Sequence, residues 1–180
     1  MINLIQLADK SKELGVAATG VIKTSDIQFS EEFRKICEQN KCGKFGTNWM
    51  CPPAIGNYEA VKAKVLEFSD GFVFQTIYKI EDSFDFEGMM KAEEIHTDIF
   101  YNIFDYIKPH INRSDVLALN VGPCQICKEC TYPDEECRFP DKAIASLEAH
   151  CIDVNALLTS CGIAYNNGPN TVSYVGLFLF

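Results

Sequence analysis

Nine cysteines occur in this chain of 180 residues, and seven of them fall in two short segments. The denser segment covers residues 122–140 and reads G-P-C-Q-I-C-K-E-C-T-Y-P-D-E-E-C-R-F-P. In it Cys124, Cys127 and Cys130 follow a C-x2-C-x2-C pattern, and Cys137 comes after six further residues. Thiolates bind zinc and iron–sulfur clusters, and three of them at this spacing can surround one compact centre without regular secondary structure. The segment therefore predicts a thiolate-bound metal centre.

The spacing favours an iron–sulfur cluster over zinc. A C-x2-C-x2-C run followed by a cysteine near a proline is typical of bacterial ferredoxins, whereas zinc sites more often combine two separated C-x2-C pairs. The fourth cysteine departs from the ferredoxin spacing, which leaves open that Cys137 binds something other than the iron held by its neighbours. We predict a [4Fe–4S] cluster at this set, with Zn²⁺ as the alternative.

A second set of cysteines lies nearer the N-terminus, in a segment rich in glycine and closed by two prolines. Cys37, Cys42 and Cys51 have ligand-like spacing, but a fourth thiol is missing. The set predicts either a second cluster or further ligands for the first centre. Cys151, Cys161 or a histidine is a candidate for the missing ligand. Without one, the metal keeps an open position for an external ligand.

The remaining thiols and histidines have less specific surroundings. Cys151 falls between two predicted helices and Cys161 at the end of the second, both among apolar neighbours, which favours buried structural thiols over ligands. His150 is expected to be an ordinary core or surface histidine. His96 is expected to be exposed on a long helix and to have no partner.

Aromatic and basic residues occur within both cysteine segments. Phe45, Trp49 and Phe139 are expected to shield a metal centre from water, which would shift its reduction potential. Lys128 and Arg138 are expected to offset the negative charge of thiolate ligands.

Composition excludes several classes of function. The net charge of −9 and the pI near 4.8 leave no basic face for nucleic acid. The N-terminus lacks the features of a secretory signal, and no apolar run is long enough to span a membrane. We therefore expect a cytoplasmic protein, where a reducing environment favours metal-bound thiols over disulfides. The sequence contains no G-x-G-x-x-G, P-loop or G-x-S-x-G motif.

Hydrophobic periodicity predicts one α/β or α+β domain over residues 1–180, with about four strands in a mixed sheet, flanking helices and cysteine-rich loops. The predicted strands cover residues 16–22, 71–80, 114–121 and 172–180. The predicted helices cover residues 4–14, 31–36, 58–68, 87–107, 141–150 and 153–161. Residues 71–121 form a candidate right-handed βαβ unit, whose second strand leads directly into the denser cysteine segment.

These segments resemble the DUF2284 family of predicted metal-binding proteins, which are frequent in anaerobic bacteria and archaea. The resemblance covers about residues 37–179. It is carried by C-x4-C-G-x2-G-x2-W-x-C-P-P, G-P-C-x2-C-x2-C-x6-C-R-F-P, S-L-E-A, I-D-V and V-x-Y-V-G-L. It implies metal binding through the seven clustered cysteines and implies no reaction. One departure is His150-Cys151, since relatives more often carry glycine before the I-D-V stretch.

The leading hypothesis is a cytoplasmic protein with one or two [4Fe–4S] clusters that handles electrons for a partner protein. The metal ligands would be Cys124, Cys127, Cys130 and Cys137 for one cluster and Cys37, Cys42 and Cys51 for the second. The alternatives are a zinc-stabilised interaction module and an enzyme that uses an open metal position. No catalytic residue is assigned.

Overall fold

The computed structural model describes residues 2–180. Its helices are α1 (Leu4–Glu13), α2 (Glu31–Glu38), α3 (Tyr58–Leu66), α4 (Phe86–Ile107) and α5 (Val154–Ser160). Its strands are β1 (Ala18–Lys23), β2 (Asp70–Lys79), β3 (Leu117–Asn120), β4 (Ala145–Ser146) and β5 (Thr171–Leu179). The mixed α/β class is confirmed. The four predicted strands correspond to β1, β2, β3 and β5, and the two-residue strand β4 is additional.

Short polar side chains begin four of these helices. Asn3, Asn57, Asp85 and Asp153 each accept a hydrogen bond from a backbone N–H in the first turn of α1, α3, α4 and α5. These bonds satisfy donors that have no partner within the helix. At the other end of α1, Gly15 has a φ of +99°, as expected for a glycine that ends a helix.

The five strands form one sheet in the order β1-β2-β5-β3-β4. Strand β5 is antiparallel to both β2 and β3, so β2 and β3 run in the same direction with β5 between them. The predicted β-α-β segment is therefore split by the C-terminal strand. Strands β3 and β4 are parallel, and residues 121–144 connect them. A parallel connection usually contains a helix, but this one contains none and holds four of the nine cysteines instead.

A hydrophobic cluster covers each face of the sheet. On one face, α1 and α4 pack against aromatic side chains of the strands, and the rings of Phe100 and Phe178 stack with centroids 4.8 Å apart. On the other face, Val65 of α3, Leu157 of α5 and Val73 of β2 belong to one cluster of buried side chains. Because β2 is covered on both faces, most of its residues are buried. No helix within residues 2–180 is long and apolar enough to cross a membrane.

The helix predicted for residues 141–150 is wrong. Ala145 and Ser146 form β4, which pairs with Leu119 and Asn120 of β3, and a turn follows. The Leu147 backbone N–H extends this pairing by donating to the Asn120 carbonyl oxygen at 3.1 Å. A short apolar run fits a buried strand as well as a helix, so periodicity alone does not separate them.

The prediction that His96 is exposed is also wrong. Its side chain has no exposed surface, and its ring stacks on Phe74. Its Nδ1 lies 2.7 Å from the Thr76 hydroxyl, and its Nε2 lies 2.9 Å from the Asn120 amide oxygen. Burial lowers the pKa of His96 to about 4, so the ring is neutral at pH 7. The buried stripe of α4 passes through His96, whereas Ile95 is 42% exposed.

Candidate metal centre

The two cysteine segments pack against each other although they are far apart in sequence. We call residues 39–57, between α2 and α3, the first loop, and residues 121–144, between β3 and β4, the second loop. The Asn48 side-chain amide donates to the Cys124 carbonyl oxygen at 3.0 Å. The Trp49 indole N–H donates to the Glu135 carbonyl oxygen at 3.0 Å, and its ring meets the edge of Tyr132. These contacts join the loops into one unit.

Tight turns shape the first loop. Gly43 and Gly46 both have a φ of +70°, a left-handed conformation that side chains other than glycine rarely adopt. The Gly46 backbone N–H donates to the Pro52 carbonyl oxygen at 2.9 Å. This bond closes the loop, so Cys42 and Cys51 reach the wall of the same cavity.

Local hydrogen bonds shape the second loop. The Thr131 hydroxyl donates to the Glu136 carbonyl oxygen at 2.9 Å, and Arg138 donates from Nη1 to the Glu129 carbonyl oxygen at 3.1 Å. The Glu135 backbone N–H donates to the Thr131 carbonyl oxygen at 3.0 Å. These bonds fold back the segment that separates Cys130 from Cys137.

The four clustered thiols of the second loop surround one cavity of about 560 Å³, here called the four-thiol cavity. Cys124, Cys127, Cys130 and Cys137 line it, and all four side chains are half-buried. Trp49 and Phe139 also line this cavity, where they were expected to shield a centre. Its basic side chains are Lys44, Lys128 and Arg138. The four cysteines of the first predicted ligand set thus line the same cavity.

The other three thiols line a separate cavity of about 320 Å³, here called the three-thiol cavity. Cys37 is half-buried at the end of α2, Cys42 is exposed, and Cys51 is buried. Apolar residues, among them Phe45, form much of the wall. Its charged side chains are Lys44 and Glu148.

The two cavities are neighbours. Lys44 and Pro123 line both of them, and a thiolate at Cys124 would raise the pKa of Cys51 through charge repulsion. The sequence left open whether the seven cysteines form one site or two. The structure arranges them as two adjacent groups of four and three.

The donor atoms suit a thiolate-bound group. All nine cysteines are free, and both cavity volumes fall within the range of about 300–1,000 Å³ found for bound ligands. The thiols line the cavity walls. Among residues 2–180, no three His, Cys, Asp or Glu side chains are grouped so that they could hold a metal ion as they stand.

Burial keeps several thiols protonated at neutral pH. It raises the pKa of Cys51 to about 11 and also raises the pKa of Cys37, where the Arg34 charge acts in the opposite direction. Burial raises the pKa of Cys124 as well, and hydrogen bonds from the backbone N–H groups of Ile126 and Ile144 partly offset this effect. Since metals bind the thiolate form, metal binding at these positions must release protons.

Two candidates for the missing fourth ligand, Cys161 and His150, do not line the three-thiol cavity. The Cys161 sulfur lies against β1, 4.0 Å from the Val21 carbonyl oxygen, and does not line the three-thiol cavity. His150 is buried, and its Nδ1 lies 3.2 Å from the Ser146 carbonyl oxygen. His150 is therefore a core histidine, which was one of the two positions expected for it, core or surface.

Cys151 occupies a turn between β4 and α5. It has no exposed surface and a left-handed φ of +59°. That conformation favours glycine, so a residue with a Cβ atom is strained at this position. Burial raises the pKa of Cys151, and the nearby Arg34 charge acts in the opposite direction. A thiolate at Cys151 would also raise the pKa of Cys37. Cys151 nevertheless does not line the three-thiol cavity.

Sequence reasoning missed Arg34 and Glu148. Arg34 is only 7% exposed, and its Nη2 donates to the Ala149 carbonyl oxygen at 3.2 Å. Its Nε and Nη1 are buried without a hydrogen-bond partner among the described residues. Glu148 belongs to the S-L-E-A segment, so the family resemblance was the available signal for it. Arg34 gave no signal, because its burial depends on tertiary packing.

Comparisons with known proteins give one match. The model of the family described as predicted metal-binding protein (DUF2284) matches residues 20–180, which include all nine cysteines. No curated protein matches the chain, and no solved structure does.

Proposed function

Because the chain belongs to the DUF2284 family of predicted metal-binding proteins, we propose that it carries two iron–sulfur clusters and transfers electrons to a partner protein. One cluster would occupy the four-thiol cavity, with Cys124, Cys127, Cys130 and Cys137 as ligands. The other would occupy the three-thiol cavity and bind Cys37, Cys42 and Cys51.

The division of seven thiols between two adjacent cavities carries this proposal. Four thiolates are a complete ligand set for a [4Fe–4S] cluster, whereas three leave one iron without a cysteine. The cavities share Lys44 and Pro123, so two clusters would lie close together. Adjacent clusters suit the passage of single electrons through the protein.

The charges around the four-thiol cavity support the same proposal. Lys44, Lys128 and Arg138 line this cavity and would offset the negative charge of a cluster bound by four thiolates. A positive charge beside a cluster favours its reduced form, because reduction adds a negative charge.

A partner protein would dock at the second loop. Asp134, Glu135 and Glu136 form its exposed acidic tip, and the Glu135 backbone contacts Trp49 beside the four-thiol cavity. The net charge of −9 adds to the attraction for a partner with a basic face. The proposed location is the cytoplasm, where nine free thiols would stay reduced.

Metal analysis of anaerobically purified protein tests the proposal. We expect about eight iron and eight sulfide per chain, as two [4Fe–4S] clusters require, and an EPR signal after reduction. Cys127→Ser and Cys51→Ser should each reduce the iron content by about half, because each removes a ligand of a different cluster. Cys161→Ser is the matched control and should retain all iron. Stoichiometric zinc without iron or sulfide would support the zinc-stabilised interaction module instead.

A further inference from the structure

The three-thiol cavity has one further side chain with a donor atom suited to iron. We propose that the Glu148 carboxylate is the fourth and displaceable ligand of the centre held by Cys37, Cys42 and Cys51. This inference rests on the proposed function. It assigns to Glu148 the coordination position that the three cysteines leave open.

Glu148 lies in a turn that several bonds fix to the sheet. The turn follows β4, and the Leu147 backbone N–H donates to the Asn120 carbonyl oxygen of β3. The Cys151 backbone N–H donates to the Glu148 carbonyl oxygen at 2.9 Å, and the Ala149 backbone N–H donates to the Ser146 hydroxyl at 3.0 Å. The backbone of Glu148 is therefore held at the cavity wall while its side chain stays exposed.

The same turn is tied to the helix that supplies Cys37. Arg34 of α2 donates to the Ala149 carbonyl oxygen, and the Ser30 backbone N–H donates to the Cys151 carbonyl oxygen at 2.9 Å. Glu148 and Cys37 thus stand on two segments with a fixed relation to each other. A carboxylate on a rigid turn can serve as a ligand without a large change in the backbone.

The other polar groups of the cavity are less suitable. The Ser146 hydroxyl already accepts a hydrogen bond, and the Lys44 ammonium has no free lone pair when charged. Cys151, Cys161 and His150 do not line the cavity. Glu148 is the remaining side chain on the wall with an anionic donor.

An oxygen ligand at this position would make the centre open to exchange with an external ligand. Carboxylate is a harder donor than thiolate and binds iron in a cluster less firmly, so an external ligand can replace it. Lys44 would attract an anionic ligand, and the apolar wall that includes Phe45 would accept a small apolar group. The ligand class that fits is therefore a small anion, with or without a short hydrocarbon part.

Cyanide titration of the reduced, cluster-loaded protein tests this assignment, with the EPR signal as the readout. Glu148→Gln should shift the spectrum at a cyanide concentration at least tenfold lower than the wild type needs, because an amide is a weaker ligand than a carboxylate. Glu148→Cys should need at least tenfold more cyanide and should change the EPR spectrum even without it, because sulfur replaces oxygen. Glu87→Gln changes an exposed glutamate of α4 that lines neither thiol cavity and should behave as wild type.

Identical spectra and cyanide responses in all four proteins would overturn the assignment of Glu148. The iron content of Cys51→Ser separates the two proposals. If Cys51→Ser loses iron while the Glu148 variants match wild type, only the ligand assignment fails. If Cys51→Ser retains all iron, no centre depends on the three-thiol cavity and both proposals fail.

Discussion

Arg34 donates from Nη2 to the carbonyl oxygen of Ala149 at 3.2 Å, and this bond joins the helix of Cys37 to the turn of Glu148. The guanidinium group is buried, and its Nε and Nη1 have no partner among residues 2–180. A buried charge without a counter-charge is costly. Thiolates at the adjacent three-thiol cavity would provide that counter-charge once a metal is bound.

Replacing Arg34 should therefore lower the reduction potential of the neighbouring cluster. Arg34→Met removes a positive charge that favours the reduced form. The expected fall is on the order of 60 mV, which corresponds to a tenfold change in a one-electron equilibrium. A redox titration followed by EPR measures it. Lys35→Met removes an exposed charge from the same helix and should leave the potential nearly unchanged. An equal fall in both variants would contradict a specific role for Arg34.

Metal binding at the three-thiol cavity should strengthen as pH rises. The raised pKa values of Cys51 and Cys37 keep both thiols protonated near pH 7, and each must lose its proton to bind a metal. The apparent affinity should rise about tenfold per pH unit for each proton released. Titration of metal-free protein with Co²⁺ between pH 6.5 and 8 measures this slope. Cys51→Ser should reduce the slope by about one, and an unchanged slope would count against Cys51 as a ligand.

Acid should destabilise the protein through its buried histidines. Burial lowers the pKa of both His96 and His150 to about 4, below the ordinary value of 6.5. The unfolded chain then binds protons that the folded chain does not, so the free energy of unfolding falls as pH drops from about 6.5 to 4. Urea unfolding at a series of pH values measures the loss. His96→Leu should flatten part of this dependence, while His110→Leu, at an exposed position, should not.

His96→Leu should also lower stability at pH 7. It removes the hydrogen-bond partners of Thr76 and Asn120, which are both buried, at a cost of about 1–3 kcal/mol for each unsatisfied group. Urea unfolding at neutral pH gives the difference in unfolding free energy. The His110→Leu control should change it by no more than about 0.5 kcal/mol.

Cys151 allows a test of backbone strain. Its φ of +59° is costly for any residue with a Cβ atom, so Cys151→Gly should be more stable than Cys151→Ala by about 1–2 kcal/mol. Comparing these two variants cancels the loss of the thiol. Both should retain the iron of the wild type, since Cys151 does not line either cavity. Loss of iron in both would identify Cys151 as a ligand.

The sequence predicts those parts of the fold that local patterns determine. Strand β2 and helix α4 have strong periodicity, and their bounds differ from the predicted ones by one residue at each end at most. The insertion of β5 between β2 and β3 depends on pairing between distant segments, which periodicity does not encode. The two-residue strand β4 is too short to leave a period in the sequence.

In the candidate site, too, local patterns predict one part, and contacts between distant segments determine the rest. Cysteine spacing predicted that Cys124, Cys127, Cys130 and Cys137 lie together, and they line one cavity, because these residues are close in sequence. The roles of Arg34 and Glu148 depend on how α2 meets the turn after β4, and no short motif specifies that contact. His96 was misplaced because the buried face of α4 is wide enough to include it beside Ile99 and Phe100, whereas Ile95 at the edge of that face is 42% exposed.

Under the proposed function, the helix-free connection between the parallel strands β3 and β4 would make the integrity of this protein depend on the iron supply of the cell. A cell short of iron would produce chains in which hydrogen bonds and side-chain packing alone hold residues 121–144, while β1, β2 and β5 remain paired. Such chains would be open to proteolytic cleavage at the second loop. Degradation would then remove the molecules without a cluster and leave those that have bound one.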